Sequence, residues 1–442
     1  MQWQDDYKKK VVSAHEAVTH IQSHNRVVLG HATGEPQTLI AAMVDNAAAY
    51  ERVEIIHKVA MGPSVYCQKE YAKNFYHNSF FVGASAREAV NGGWADYTPM
   101  FFHEMPSFLR DRYRPDVTML SVSPPDIHGY CSLGVSVDYT KAATESSKIV
   151  IAEINKKMPR THGDCYIHIS DIDYIVESNV DLINLFPPNL TDIERAIGAN
   201  VAALVNDGDC LQLGIGAIPD AVLASLTNLN DLGMHTEMFS DGAVDLIEAG
   251  NINNRAKNFN HGKSVATFLM GSRKLYDYVD DNPSVMMMPV DYVNDPRTAC
   301  QNDNLVAINS CIQIDLMGQV VSDSVGLRQI SGVGGQVDFV RAATMSKGGR
   351  AIIAMPSTSR GTISKIVPFI NEGATVMTSR FDVDYVATEI GLTRLKGKTL
   401  RQRAVSLIEI AHPDFRDGLK EEFERRFHES YPANAAQISA ER

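Results

Sequence analysis

The fold is decided by the stretch His235-Thr236-Glu237-Met238-Phe239-Ser240-Asp241-Gly242. Its first residues predict a short strand, and Asp241-Gly242 predicts a turn. The apolar residues that follow recur at helical spacing, so we expect a helix next. Glu237 would then lie near the carboxyl end of a strand, where open α/β sheets bind their ligands. A carboxylate at such a place is either catalytic, or a solvated or capping side chain.

A glycine-rich segment, LGIGAIP at 213–219, precedes this stretch. It follows a predicted strand over 210–213 and precedes a predicted helix over 220–227. Backbone N–H groups at such a junction bind anions, although a tight turn would also need glycine there. Pro219 replaces the third glycine of the dinucleotide-binding pattern, which disfavours a dinucleotide ligand. The residues that could contact a ligand are Gly214, Ile215, Gly216, Ala217 and Ile218.

A second glycine-rich segment, SGVGGQVDF at 331–339, follows the same stretch. Its glycines Gly332, Gly334 and Gly335 would let backbone amides approach a ligand closely, as an oxyanion hole requires. The alternative is a flexible surface turn. Residues 340–371 then carry five cations and no acid, which favours a phosphate-rich ligand over a merely solvated face. These cations are Arg341, Lys347, Arg350, Arg360 and Lys365.

Length and charge narrow the class of protein. A chain of 442 residues predicts two or three domains, and a net charge of −12 argues against nucleic acid as a partner. The start of the chain lacks the apolar region of a secretory signal, and no apolar run is long enough for a membrane span. The six cysteines form no C-x-x-C pair. We therefore expect a cytoplasmic protein with free thiols.

The two halves of the chain share a pattern. Leu29-Gly30 and Pro36 recur as Leu213-Gly214 and Pro219, each time between a predicted strand and a predicted helix. The first helix is expected over 37–48, and each helix leads to a strand carrying a histidine, His57 or His235. The repeat predicts a duplicated α/β unit. Pro187-Pro188 breaks the chain, so we expect domains over 1–188 and 189–442. A late strand is expected over 374–377.

Several kinds of chemistry lack their usual motifs. The sequence has no G-x-S-x-G elbow, no cysteine-protease signature and no H-E-x-x-H. His162 and His168 lie near each other but have no matching acidic or thiolate cluster, so we expect no metal. A carboxylate, amide donors and a basic anion site remain. This set suits a nucleophilic carboxylate that attacks an activated acyl group.

These segments together resemble the acetyl-CoA hydrolase/transferase family of CoA-transferases, over nearly the whole chain. The resemblance is closest to its members that use 4-hydroxybutyrate or butyrate with acetate. Such a resemblance is more specific than any single glycine loop. The motifs that carry it are LGIGAIPDAVL at 213–223, EMFSDG at 237–242, GQVVSDS at 318–324 and SGVGGQVDF at 331–339.

The resemblance implies two homologous open-sheet α/β domains of the NagB/RpiA-like kind, with the active site between them. It implies that Glu237 forms a glutamyl-CoA thioester. The family's CoA loops match residues 214–218 and 332–335, and Arg360 and Lys365 are the candidate basic contacts. CoA would be a substrate, with no tightly bound cofactor.

The expected reaction moves CoA between 4-hydroxybutyryl-CoA or butyryl-CoA and acetate. We expect a homo-oligomer, a dimer, with neither nucleic acid nor membrane as a partner. A short-chain acyl-CoA hydrolase is the first alternative, because water could replace the acceptor acid. A sugar-phosphate isomerase-like enzyme and a non-catalytic CoA-binding protein are the others.

Overall fold

A computed structural model describes residues 2–440. Each half of the chain is built around one open sheet. The sheet of the amino-terminal half has seven strands, all paired in parallel. Its strand Val117–Val122 is buried at every position, as expected for a parallel sheet covered on both faces. Across the sheet the order is Tyr174–Ser178, Ile149–Asn155, Val117–Val122, Arg26–Leu29, Val53–Ile56, Phe75–Ser79 and Asp96–Tyr97.

Helices pack against this sheet through their apolar faces. Helix Gln37–Asp45 buries Leu39 and Met43 in the cluster that contains the first two strands. The other α-helices of this half are Gln2–Lys10, Ala14–Val18, Arg87–Gly92, Met105–Ser107 and Thr140–Ser146. A π-helical turn covers Phe108–Tyr113, and 3-10 turns cover Ala47–Ala49, Val65–Cys67, Lys69–Tyr71, Phe102–Glu104 and Ile169–Asp171.

The sheet of the carboxyl-terminal half has six strands. All neighbours are parallel except the last pair, in which Leu392–Arg394 returns antiparallel to Tyr385–Ala387. Across the sheet the order is Gly233–Met234, Cys210–Leu213, Leu305–Asn309, Arg350–Ala354, Tyr385–Ala387 and Leu392–Arg394. Its helices are Asp192–Ala202, Ala217–Ala224, Asp241–Glu248, Arg273–Val279, Val290–Val293, Pro296–Ala299, Gln336–Met345, Leu400–Glu409, Pro413–Phe427 and Ala435–Ala440.

The two large sheets share one topology around their first strand. In each half, the second strand in sequence lies on one side of the first, and the strands from the later part of that half lie on the other side; in the amino-terminal half, Phe75–Ser79 and Asp96–Tyr97 continue the sheet beyond the second strand. This is the strand order of a doubly wound sheet, whose ligand crevice opens beside the first strand. The predicted class, two open-sheet α/β units, is confirmed. Residues 179–191 form neither helix nor strand. The boundary predicted after residue 188 stays a prediction.

The halves are joined through shared core and small sheets. One apolar cluster contains Leu120 and Ile154 from the first half with Leu211 and Ile308 from the second. His162–Gly163 pairs with Val285–Met287, which pairs with Ser264–Ala266. The remaining short strands are Tyr130–Ser132 with Tyr166–His168, Met238–Phe239 with Phe268–Leu269, Gln313–Asp315 with Val320–Val321 and Ile366–Val367, Ser324–Val325 with Arg328–Gln329, and Thr358–Ser359 with Ile363–Ser364.

Some local predictions were wrong. Asp241 and Gly242 are not a turn but the first residues of helix Asp241–Glu248. The Asp241 carboxylate accepts from the Ser272 N–H at 2.9 Å, so it caps the next helix instead. Residues 374–377 form no strand, because the chain there makes only an isolated bridge at Thr378. Within residues 2–440, every helix is too short or too polar to cross a bilayer.

Candidate active site

Glu237 lies between two short strands, Gly233–Met234 of the large sheet and Met238–Phe239. Its backbone carbonyl accepts hydrogen bonds from the N–H groups of Thr267, at 3.1 Å, and Phe268, at 3.3 Å. Both main-chain bonds fix the peptide, so the side chain starts from a rigid position. As the sequence predicted, the residue follows a strand of the open sheet at its carboxyl end.

A side-chain amide holds the carboxylate. Asn294 Nδ2 donates to Glu237 Oε2 at 2.7 Å. Asn294 is itself fixed, because His235 Nε2 donates to the carbonyl of Val293 at 2.8 Å. His235 is fully buried, and burial lowers its pKa to about 3. A neutral imidazole therefore anchors the segment that carries the donor.

The second glycine segment lies directly against this carboxylate. A methyl group added to Gly335 would overlap Glu237 Oε2 and would come within 2.5 Å of Asn294 Nδ2. A methyl group on Gly332 would come within 2.9 Å of Phe81 Cα in the other half. Only glycine fits both places. Backbone close to the reacting oxygens is what the oxyanion-hole hypothesis requires.

The first glycine segment borders open space. Added methyl groups at Gly214 and Gly216 meet no atom within 4 Å. Thr236 connects the segment to the stretch that carries Glu237, since its Oγ1 donates toward the carbonyls of Leu213 and Met238 at 2.8 Å. A cleft of about 280 Å³ lies beside it. Its lining includes Ile215, Gly216, Ser240 and Met270.

The loop predicted over 214–219 is shorter in the structure. Ala217 and Ile218 belong to the first turn of helix Ala217–Ala224, so the predicted helix start at 220 was wrong. The N–H groups of that first turn have no partner within the helix. Such N–H groups at the start of a helix can bind an anion.

Buried Asp338 and half-buried His103 form a pair next to Asn294. Asp338 Oδ2 lies 3.5 Å from Asn294 Nδ2, and Asp338 Oδ1 lies 2.7 Å from His103 Nδ1. Burial alone would lower the pKa of His103, but the bond to Asp338 outweighs it and the pKa is raised. The His103–Asp338 pair thus joins the amino-terminal half to the residue that holds Glu237.

Several groups shift the pKa of the Glu237 carboxyl in opposite directions. Burial raises the pKa of its carboxyl, and the charges of Asp338 and Asp138 raise it further. The ammonium of Lys58 and the hydrogen bond from Asn294 act in the other direction. Lys58 is buried, and burial lowers its own pKa to about 7. The carboxylate and this lysine therefore influence each other across the junction of the halves.

The basic residues of 340–371 have separate surroundings. Arg350 makes a buried ion pair with Asp209, and Arg341 lies 3.6 Å from Asp382. Arg360 is exposed at the turn of the hairpin Thr358–Ser359 with Ile363–Ser364. Lys365 is partly buried, and its pKa is lowered by burial. Sequence reasoning missed Lys58, Asn294, Asp338 and His103. Asp338 stood inside a recognised motif, and Lys58 directly follows a predicted strand.

Two doubly wound sheets with a carboxylate held at their junction define an α/β enzyme whose site lies between its halves. The chain belongs to the acetyl-CoA hydrolase/transferase family. The family's amino-terminal domain model matches residues 1–187, and its carboxyl-terminal domain model matches residues 271–423. The resemblance inferred from the motifs is confirmed. Among residues 2–440, no group of three metal-ligating side chains lies together.

Curated relatives cover nearly the whole chain. A 4-hydroxybutyrate coenzyme A transferase of Clostridium kluyveri is 57% identical, over 97% of this chain and 100% of that protein. A butyryl-CoA:acetate CoA-transferase of Anaerostipes caccae is 36% identical, over 96% of this chain and 98% of that protein. The crystal structure of a 4-hydroxybutyrate CoA-transferase from Porphyromonas gingivalis is 42% identical, with a TM-score of 0.84, covering 96% of this chain and 100% of that one.

Proposed function

We propose that this enzyme transfers CoA between a short-chain acyl-CoA, 4-hydroxybutyryl-CoA or butyryl-CoA, and acetate, through a thioester on Glu237. The observation that carries the proposal is the carboxylate of Glu237, held by Asn294 against Gly335 between the two halves. A carboxylate suits this exchange because the donor and acceptor acids are also carboxylates of similar basicity. The relatives named above supply the substrate class.

The chemistry runs through two exchanges. Glu237 attacks the thioester carbonyl of the substrate, forms a mixed anhydride and releases CoA as the thiolate. The thiolate then attacks the glutamyl carbonyl, which gives glutamyl-CoA and frees the first acid. The acceptor carboxylate repeats these steps in reverse. Each half-reaction conserves the high-energy acyl bond, and the first acid leaves before the second one reacts, so the kinetics are ping-pong.

The surrounding residues have separate tasks. The amide of Asn294 orients the attacking oxygen, which counts because small errors of position are costly in rate. Backbone amides of the segment 332–335 stabilise the oxyanion of the tetrahedral intermediate. Gly214 and Gly216 leave room for the CoA chain, and binding energy of its distant nucleotide part offsets the cost of the anhydride.

Among the basic candidates, Arg360 is the better phosphate contact. Its side chain is exposed at a hairpin turn, so a flexible nucleotide could meet it. Lys365 is the poorer candidate, because burial lowers its pKa and its side chain lies near Cys311 and Glu389. Replacing Arg360 by Ala tests the assignment: the KM for acyl-CoA should rise, and more so at low salt.

The decisive experiment is a panel of acyl-CoA donors with labelled acetate as acceptor. Formation of labelled acetyl-CoA shows transfer, whereas thiol release without acetate would show hydrolysis. Incubation with acyl-CoA alone, followed by borohydride, should mark Glu237 as an alcohol in the peptide mass. Glu248→Gln, an exposed carboxylate on the adjacent helix, is the matched control and should keep the mark. An adduct on any other residue would refute the role of Glu237. The homodimer and the cytoplasmic location stay predictions.

A further inference from the structure

The two halves place opposite charges at matching positions. In the amino-terminal half, Lys58 follows the second strand and lies beside Gly30, the first glycine after the first strand. Residues before and after Lys58 pair with residues before and after Gly30 in one continuous parallel register. The pairs that fix this register are Val28 with Ile56 and Ala32 with Ala60.

The carboxyl-terminal half repeats the arrangement with an acid. Leu211 pairs with Met234 in parallel, and the same register carried forward places Glu237 beside Gly214. Gly30 and Gly214 are the glycines that match in the sequence repeat. Lys58 is therefore the topological counterpart of Glu237, contributed by the other half.

Lys58 is buried without the contacts that a structural lysine has. It is 3% exposed, and its ammonium has no hydrogen-bond partner among residues 2–440. Its Nζ lies over the ring of Phe102, and its backbone N–H is 3.4 Å from the hydroxyl of Tyr139. Burying a charge is costly unless it is paired. The structure thus maintains a costly ammonium in a fixed place.

Lys257 shows what a satisfied buried lysine looks like in the same protein. It is 4% exposed, and its ammonium donates to the carbonyls of Met234, at 2.8 Å, and Lys263, at 2.7 Å. Lys58 has the burial of Lys257 but not the bonds. The difference indicates that the ammonium of Lys58 is kept for a partner that comes and goes.

The charges around Lys58 identify that partner as a carboxylate. Phe102, beneath the ammonium, precedes His103, which binds Asp338. Asp138 accepts from Ser136 at 2.7 Å and lies 3.0 Å from His31, so both aspartates already have partners.

Glu237 is less completely satisfied. Asn294 is the one side chain in the described chain that donates a hydrogen bond to its carboxylate. The free enzyme therefore balances Lys58 against Glu237. When Glu237 becomes a thioester, it loses its charge, and Lys58 is left without a counter-ion beside the reacting carbonyl.

We propose that Lys58 is the carboxylate-binding residue of the site: its charge offsets that of Glu237 in the free enzyme, and it binds the substrate acid once Glu237 carries CoA. The inference rests on the proposed transfer through Glu237 and adds the residue that receives the acid. One fixed ammonium serves both half-reactions, because before and after each of them one carboxylate in the site is ionised and the other is acylated. An unpaired charge also attracts the acceptor acid in preference to water.

The test replaces Lys58 by Met, which keeps the length of the side chain and removes the charge, in the full chain. The KM for acetate should rise by about 10–100-fold, the effect of losing a hydrogen bond to a charged group. The KM for acyl-CoA should stay within about twofold, because the thioester carries no carboxylate. Lys58→Arg keeps the charge and should recover part of the acetate affinity.

Stability separates this role from a structural one. Removing an ammonium that has no hydrogen bond should leave Tm unchanged or raise it. Lys257→Met, the matched control, strands two carbonyls and should lower Tm without changing the KM for acetate. If Lys58→Met behaves like Lys257→Met, with lower Tm and an unchanged KM for acetate, the proposal is overturned.

A measurement on the unmodified enzyme needs no variant to fold. Burial lowers the pKa of Lys58, while the charges of Glu237, Asp138 and Asp338 raise it, and burial also lowers the pKa of the neighbouring His31. Since the ammonium must be protonated to bind the acid, the KM for acetate should rise with pH on the alkaline side of neutrality. A flat profile refutes the role of Lys58 while Glu237 is still found as the adduct. Absence of any Glu237 adduct overturns both proposals.

Discussion

The glycine loops of the two halves have the same place in the fold and opposite surroundings. In the amino-terminal loop, a methyl group on Gly34 would come within 2.8 Å of Ser136 Cβ, and one on Gly30 within 3.1 Å of the Gly34 carbonyl. At Gly214 and Gly216 of the second loop, the same addition meets nothing within 4 Å. The first loop needs glycine to pack, and the second keeps its glycines beside open space.

The carboxylates associated with the two loops differ in the same way. Glu35, in the first loop, is 5% exposed and accepts from the N–H of Met61 at 3.1 Å. Glu237, beside the second loop, is partly exposed and accepts from a side chain. The settings of the two loops are therefore separate: the first serves packing, and the second lies beside open space and Glu237. The following variants test that separation, beginning with the largest expected effect.

Glu237→Gln should abolish the chemistry while keeping the size of the side chain. We expect transfer to fall by roughly four orders of magnitude or more, because the variant loses its nucleophile. Glu237→Asp keeps the charge but withdraws it by one methylene, and activity should also fall steeply. Initial rates of acetyl-CoA formation measure both. Substantial activity in Glu237→Gln would break the comparison, since chemistry would then reside elsewhere.

Alanine at the glycines separates the two ligand-facing segments. In Gly335→Ala the new methyl overlaps the Glu237 carboxylate, so kcat should fall by about 100–1000-fold through misplacement of the nucleophile. Gly335 has a φ of −98°, which alanine adopts without strain. Gly214→Ala adds its methyl to open space, and it should raise the KM for acyl-CoA with little change in kcat. Equal kinetic effects of both variants would contradict distinct roles.

Asn294→Ala should have a smaller effect. It removes the donor that stabilises the ionised carboxylate, so kcat should fall about 10–100-fold. The bond from Asn294 lowers the pKa of Glu237, and its loss raises that pKa further above the usual range. The acid limb of kcat against pH should therefore move to higher pH. Asn302→Ala, a buried asparagine whose Nδ2 donates to the carbonyl of Ala299 instead, is the control. An unshifted acid limb would count against the assignment.

Sequence patterns predicted the fold and the position of Glu237 better than the residues around Glu237. An apolar run such as 210–213 predicted a strand, because burial on both faces demands apolar side chains. The glycines around Glu237 were visible because they cluster along the chain. The sequence did not reveal Lys58, Asn294 and His103. They are far apart along the chain, and only the packing of the two halves brings them together. The turn predicted at Asp241-Gly242 failed because capping of the next helix by Asp241 outweighed local turn preference.

The smallest effect on activity should come from the carboxylate of the first loop, and it is a stability effect. Burial raises the pKa of Glu35 to about 7, so the folded protein favours its neutral form. The stability that this proton provides is complete below the unfolded pKa of about 4.5 and is lost as pH rises to about 7.

Glu35→Gln cannot ionise. Its free energy of unfolding, relative to that of the wild type, should therefore increase by about 3 kcal/mol from pH 5 to pH 8. Thermal unfolding at both pH values measures this gain, with exposed Glu70→Gln as the control that should follow the wild type. The kcat of Glu35→Gln should stay close to that of the wild type. A loss of kcat as large as that of Asn294→Ala would give Glu35 a role in the reaction and would contradict the different roles of the two loops.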